Sequence, residues 1–242
     1  MANRPLGIVC ALPTEAKTLT RTTITMGTVL PLSEGVWLTV SGIGAQRAQV
    51  GARLLLEQGA GALLSWGSAG ALDDTLCMGD LLLPQRILAT DAQEWPISST
   101  WQKLLCRKLA TRITPHLGSL AESTRVLRTP LQRQTLAASC GAIAVDMESA
   151  AIARFAHQNR MPFLAIRAVS DTTRMILPES LLNAIGPLGE LPVQAVLAQV
   201  IFKPQHWMRI AKLAQGMYAA KRTLRQVLNS LGFKGLAVPM PE

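Results

Sequence analysis

Short apolar runs alternate along this chain with tight turns and with longer stretches of helical spacing. Leu6 to Leu12 is an apolar run bounded by Pro13, and its length and lack of alternation predict a strand buried on both faces. Val36 to Val40 predicts a second strand, which the turn Ser41, Gly42, Ile43, Gly44 joins to a helix over Ala45 to Gln58. Ala62 to Trp66 predicts another buried strand ending in a turn at Gly67, Ser68, Ala69 and Gly70, and Asp80 to Pro84 predicts a further strand after Gly79. Ala142 to Val145 leads into Asp146, Met147 and Glu148 at the start of a helix ending near Asn159. Pro162 then opens a strand that runs through Val169. Parallel neighbours need crossover helices, so this alternation predicts an α/β sandwich with a largely parallel central sheet.

From Lys203 the spacing becomes purely helical. Trp207, Ile210, Ala214, Met217, Leu224, Leu228 and Leu231 step by threes and fours, with Lys212, Arg222 and Arg225 on other faces. Two placements are open for this basic amphipathic helix: docked on the core or a second subunit, or resting on an anionic membrane surface. The expected organisation is an α/β domain over residues 1–190, with 191–242 as its C-terminal helical extension.

Composition narrows the class. With 242 residues, 49% hydrophobic and 16% charged, the chain suits one packed domain. No apolar run approaches the roughly 18 residues of a membrane span, and the N-terminus lacks a signal-peptide core. The expected location is cytoplasmic, or peripheral at the inner membrane face. The formal charge of +9 raises nucleic acid as a partner, but from Leu191 to Pro241 there is no Asp or Glu and seven Lys or Arg residues cluster there. The excess sits in the tail and the body shows no aromatic-basic interleaving, so nucleic acid is not an expected partner. Cys10, Cys77, Cys106 and Cys140 form no CxxC pair, and His116, His157 and His206 lack ligand spacing, so no metal site is predicted. A dinucleotide fingerprint fails too, because Arg47 stands where the third glycine after Gly42 and Gly44 belongs.

In open α/β sheets ligands sit outside the carboxyl ends of the strands. The predicted strands deliver Glu15, then Ser41, Gly42 and Gly44, then Ser68 and Gly70, then Met147 and Glu148, then Ser170 and Asp171. Three carboxylates at strand ends in a chain this poor in acid point to chemistry, although each has a structural reading. Glu15 suits the first turn of a helix, and Asp146 a helix cap. Arg167, four residues before Asp171 and so on the same strand face, offers Asp171 a structural partner.

These residues lie in the segments GIVCALPTEAKTL, VSGIGAQRAQVGARLLLEQGA, WGSAGAL with MGDLLLP, and AVDMESAAIARFA followed by PFLAIRAVSDT. In order and spacing the sequence resembles the nucleoside phosphorylase and nucleosidase superfamily, particularly its methylthioadenosine and adenosylhomocysteine nucleosidase branch. The resemblance implies a three-layer αβα sandwich around a mixed, twisted sheet, no cofactor, and a homo-oligomer acting on a purine nucleoside. By the same resemblance Asp171 is the acid that protonates the purine N7, Glu15 positions and activates the nucleophile, and Glu148 grips the ribose hydroxyls. Met147 packs under the sugar, Ser68, Gly70, Ser170 and the Ser41, Gly42, Gly44 turn line the pocket, and Arg167 orients the acids.

The chemistry needs such groups. A purine leaves poorly as an anion, so an acid raised by burial must protonate it as the bond breaks. An ionised carboxylate on the sugar hydroxyls steadies the oxocarbenium-like transition state. Ser123 to Pro130 holds no aromatic residue where the family stacks its purine. That gap, the basic tail and the LPESLLNAIGPLGELP stretch before it resemble the hopanoid-associated phosphorylases. This subgroup implies adenosylhopane, a lipid-linked nucleoside, as substrate, with release of adenine either by phosphorolysis, inorganic phosphate then being the co-substrate, or by hydrolysis. Methylthioadenosine or S-adenosylhomocysteine is the alternative substrate.

Overall fold

The computed structural model describes residues 4–177, 186 and 207–238, so the LPESLLNAIGPLGELP reading and the start of the tail at Lys203 lie outside the described residues. Ten strands form one mixed sheet: β1 (Leu6–Cys10), β2 (Val29–Ser33), β3 (Val36–Val40), β4 (Ala62–Ala71), β5 (Leu81–Leu82), β6 (Arg86–Leu88), β7 (Glu94–Pro96), β8 (Ser119–Glu122), β9 (Ala144–Asp146) and β10 (Phe163–Asp171). Six helices are described: α1 (Pro13–Ala16), α2 (Ala45–Glu57), α3 (Ser99–Leu109), α4 (Pro130–Cys140), α5 (Ser149–Gln158) and α6 (Trp207–Leu236).

The strand order is β2-β3-β1-β4-β9-β8-β6-β7, with β10 on β4 and β5 on β10. β1 runs parallel to β3 and β4, and β10 parallel to β4, as the buried apolar runs predict. Alternate residues feed two cores. Leu6, Ile8, Leu64 and Ile166 join Trp101 of α3 and Leu224 of α6 on one face, while Val9, Leu63 and Ala165 join Leu55 of α2 and Phe155 of α5 on the other. The three layers follow.

Two departures from the sequence reading matter for the site. Gly67 to Gly70 is not a turn: β4 continues to Ala71 and there pairs antiparallel with β9, through Gly70 and Val145. Glycines inside a strand mark close approach by other groups, and that is their use here. The second departure is α6, which packs with Ala220, Leu224 and Val227 buried, so the docked placement is the one the structure shows. Its contact line also runs through Gly216, where an added Cβ would lie 1.8 Å from the Ser170 carbonyl oxygen. Thr223 Oγ1 donates to Gly79 O at 2.6 Å, so the helix braces both the end of β10 and the turn before β5. Among the described residues no helix is long and apolar enough to cross a membrane.

Candidate active site

The carboxyl ends of β1, β4, β9 and β10 converge. Pro13 starts α1 directly after β1 and places Glu15 in its first turn, where the side chain is 4% exposed. Glu15 Oε1 accepts from Ser68 N at 2.8 Å and from Ser68 Oγ at 2.9 Å, and Oε2 accepts from Leu12 N at 3.1 Å. The carboxylate lies flat on β4 because residue 67 is glycine: a Cβ there would stand 2.6 Å from Oε1.

Asp171 approaches the same strand further along, opposite Gly70. The register shifts between Val169 and Asp171, and this bulge at Ser170 breaks the alternation that would put Arg167 and Asp171 on one face. The pairing expected between them is therefore corrected. Asp171 Oδ2 instead meets Arg133 Nη1 of α4 at 2.5 Å, and Oδ1 accepts from Ser170 Oγ at 2.7 Å. The expectation of an acid isolated by burial gives way to one held in an ion pair.

Arg167 is buried on the other side of the strand end. Its Nη2 lies 2.7 Å from Asp146 Oδ2 and donates to Ser65 Oγ at 2.6 Å and Ser149 Oγ at 3.0 Å. Asp146 also accepts from the backbone N–H groups of Glu148 and Ser149, so it caps α5 as expected while neutralising Arg167. Glu148 Oε1 accepts from Gly44 N at 2.8 Å and Oε2 from Met147 N at 3.3 Å. Burial pushes the Glu148 carboxyl up to about 8; neighbouring Asp146 adds to this, while the Gly44 N–H and Arg167 pull it back. Glu148 is therefore mostly neutral at pH 7, not the anion that the resemblance implies.

Gly42 and Gly44 have φ values of 87° and 100°, a left-handed turn that aims the Gly44 N–H at Glu148 ahead of α2. Ser41 sits apart from these groups. Its hydroxyl lies 2.9 Å from Gly42 O and 3.3 Å from Cys10 O and pins the turn.

A cavity of about 90 Å³ is lined by Asp171, Arg133, Arg125, Val145, Asp146 and Met147, among others. It shares Ser123 and Met147 with a second of about 480 Å³ lined by Gly44, Arg47, Glu122 and Thr124. Together they reach the size of small-molecule sites, roughly 300–1,000 Å³. Sequence reading missed Arg133 and Glu122. The T-P-x-Q cap of α4, in which Thr129 accepts from Gln132 N, was the available signal for the element that carries Arg133. In the segment Ser123 to Pro130, where the resemblance implies a stacking aromatic, Arg125, Val126 and Leu127 line the wall.

A phosphorylase superfamily pattern matches residues 5–182. A 5'-methylthioadenosine/S-adenosylhomocysteine nucleosidase of Staphylococcus epidermidis is 32% identical over 155 residues, covering 56% of this chain and 68% of that protein. One from Staphylococcus aureus is 29% identical over 187 residues, covering 68% and 82%. Among solved structures, futalosine hydrolase of Helicobacter pylori superposes with a TM-score of 0.70 at 17% identity, covering 94% of this chain and 96% of that one. The S-adenosylhomocysteine nucleosidase of Streptococcus pyogenes, in complex with 5-methylthiotubericidin, gives 0.69 at 19%, covering 95% and 96%. These structural likenesses establish the three-layer fold. The sequence relatives are named for methylthioadenosine and adenosylhomocysteine, and this corrects the expectation of adenosylhopane cleavage by a hopanoid-linked subgroup.

Proposed function

The chain belongs to the phosphorylase superfamily and is an enzyme that cleaves an N-glycosidic bond of a nucleoside, and from that premise we propose that it is a nucleosidase, releasing adenine from a 5'-substituted adenosine with water as the nucleophile. One observation carries the choice of water. Glu15 Oε1 already takes both donors of Ser68, the N–H and the hydroxyl, and no room remains between Glu15 and Gly67. A phosphate dianion at that point would lose these donors to a carboxylate and be repelled by it. A water molecule suits it, because Glu15 accepts its proton as the oxygen attacks C1'.

The other roles follow from position. Asp171 takes up a proton from solvent when the nucleoside binds and passes it to N7 as the glycosidic bond breaks, and the carboxylate left behind returns to its ion pair with Arg133. Glu148 releases its proton to solvent as the nucleoside binds and, as a carboxylate, accepts from the ribose hydroxyls while the sugar becomes cationic. Arg167 fixes Asp146, and through it the first turn of α5 that carries Glu148. Gly70 keeps the floor under Asp171 open, and Met147 lies beside the sugar. The proton on Glu15 returns to Asp171 through solvent, so each turnover consumes one water. Assembly of two or more copies belongs to this proposal, with the groove lined by Met26, Val50 and Leu54 as the contact.

The test is adenine release from 5'-methylthioadenosine over a phosphate titration, with identification of the sugar product. A rate independent of phosphate and a free reducing sugar are expected; a requirement for phosphate and a sugar 1-phosphate would refute hydrolysis.

A further inference from the structure

Helix α6 is docked by one side only. Gly216, Ala220, Leu224 and Val227 are buried on its inner side. On the opposite side Trp207, Ala211, Tyr218, Arg222 and Arg225 recur at intervals of three, four and seven and form one exposed stripe, about 27 Å long at the helical rise per residue. Met208 and Lys212, also exposed, flank it.

Two properties meet on this stripe, and the fold uses neither. Its apolar members stand open to water, with Trp207 54% exposed, Met208 74% and Tyr218 65%. Its charge has one sign: from Trp207 to Leu236 the helix carries six Lys or Arg residues and no Asp or Glu. Among the described residues no carboxylate pairs with any of these cations. A cationic stripe calls for an anionic partner, and large apolar groups on a convex helix call for one that accepts them without a shaped pocket. The headgroup layer of an anionic bilayer meets both needs, because Trp and Tyr settle at the polar boundary, Met enters the acyl region, and Lys and Arg reach the phosphates. A nucleic acid matches the charge but leaves Met208 in water, and the body of the chain has no aromatic-basic interleaving to extend such a contact.

We infer that the outer face of α6 seats on an anionic lipid surface, with the helix axis parallel to it and the rest of the domain on its aqueous side. Docking on the sheet and seating on lipid use opposite sides of the helix, so both hold at once. α6 packs in the core on one face of the sheet and α2 in the core on the other. The Gly44 and Arg47 wall of the larger cavity, which belongs to the start of α2, therefore stays on the aqueous side. The inference does not depend on the glycosidic reaction.

The experiment sediments the full chain with vesicles of phosphatidylcholine alone and with vesicles carrying about 30% phosphatidylserine. Binding to the anionic vesicles alone is expected, with release near 0.5 M salt, roughly where screening becomes strong. Each cation near the surface contributes about fivefold, so Arg222→Gln with Arg225→Gln should weaken binding about thirtyfold. Both side chains are exposed and circular dichroism checks the fold; Lys212→Gln with Lys221→Gln is the second pair should the first unfold. Trp207 emission should shift to the blue on the vesicles, and Trp207→Phe should abolish the shift. Equal sedimentation with neutral vesicles, full binding by a folded double variant, or an unmoved Trp207 emission would overturn the inference. So would binding to an oligonucleotide by a chain that leaves the vesicles in place.

Discussion

Replacing Gly67 with alanine tests the link between a missing side chain and the chemistry. A Cβ at residue 67 would lie 2.6 Å from Glu15 Oε1, 2.8 Å from Cδ and 2.9 Å from Oε2. Restoring ordinary contact near 3.4 Å needs a retreat of at least about 0.8 Å by the carboxylate, since β4 is clamped between β1 and β10. That displacement takes the Ser68 hydrogen bonds from 2.8 and 2.9 Å to beyond about 3.5 Å, where they cease to count as bonds. A carboxylate misplaced by close to 1 Å loses its grip on the attacking water, which costs on the order of a hundredfold in kcat. Overpacking adds roughly 1–3 kcal/mol of destabilisation. Adenine release at saturating substrate reads the first effect, and thermal denaturation followed by circular dichroism reads the second. Wild-type kcat in a well-folded Gly67→Ala protein would refute the role given to Glu15.

Three further outcomes are expected. Glu148 is pushed from an ordinary 4.5 to about 8, so between these values the folded chain holds a proton that the unfolded chain has released; stability therefore falls as pH rises from about 4.5 to about 8, by a few kcal/mol. Thermal midpoints of the ligand-free protein across that window should decline in the wild type and flatten in Glu148→Gln. Arg167→Met leaves Asp146 buried and unpaired and should cost about 3–5 kcal/mol in urea unfolding; a loss below about 1 kcal/mol would contradict the pairing. Gly216→Ala sets a methyl 1.8 Å from Ser170 O, so α6 must lift from β10, and both the thermal midpoint and kcat should drop together.

The strands that build the site were legible because each is buried on both faces and reads as a plain apolar run, as in Leu6–Cys10 and Val36–Val40. Glu15, Glu148 and Asp171 were legible as acids at strand ends. The course of β4 was not, because Gly67 and Gly70 signal a turn equally well, and only tertiary neighbours reveal that their lack of side chains admits Glu15 and Asp171. The partner of Asp171 was hidden by the bulge at Ser170, which periodicity cannot foresee. Arg133 comes from α4, thirty-eight residues away in sequence, and reads locally as one more surface cation although it is 1% exposed. The inner face of α6 was assigned to its larger apolar residues, whereas Gly216 and Ala220 make close contacts because they are small.

The central claim is that a carboxylic acid at residue 171 protonates the departing purine. Single-turnover adenine release from 5'-methylthioadenosine by Asp171→Asn, set against the wild type with both proteins shown to be folded, measures it directly. The account predicts a loss of about 10²- to 10⁴-fold in the rate of bond cleavage, with nucleoside binding retained. A variant that cleaves within tenfold of the wild type would contradict it.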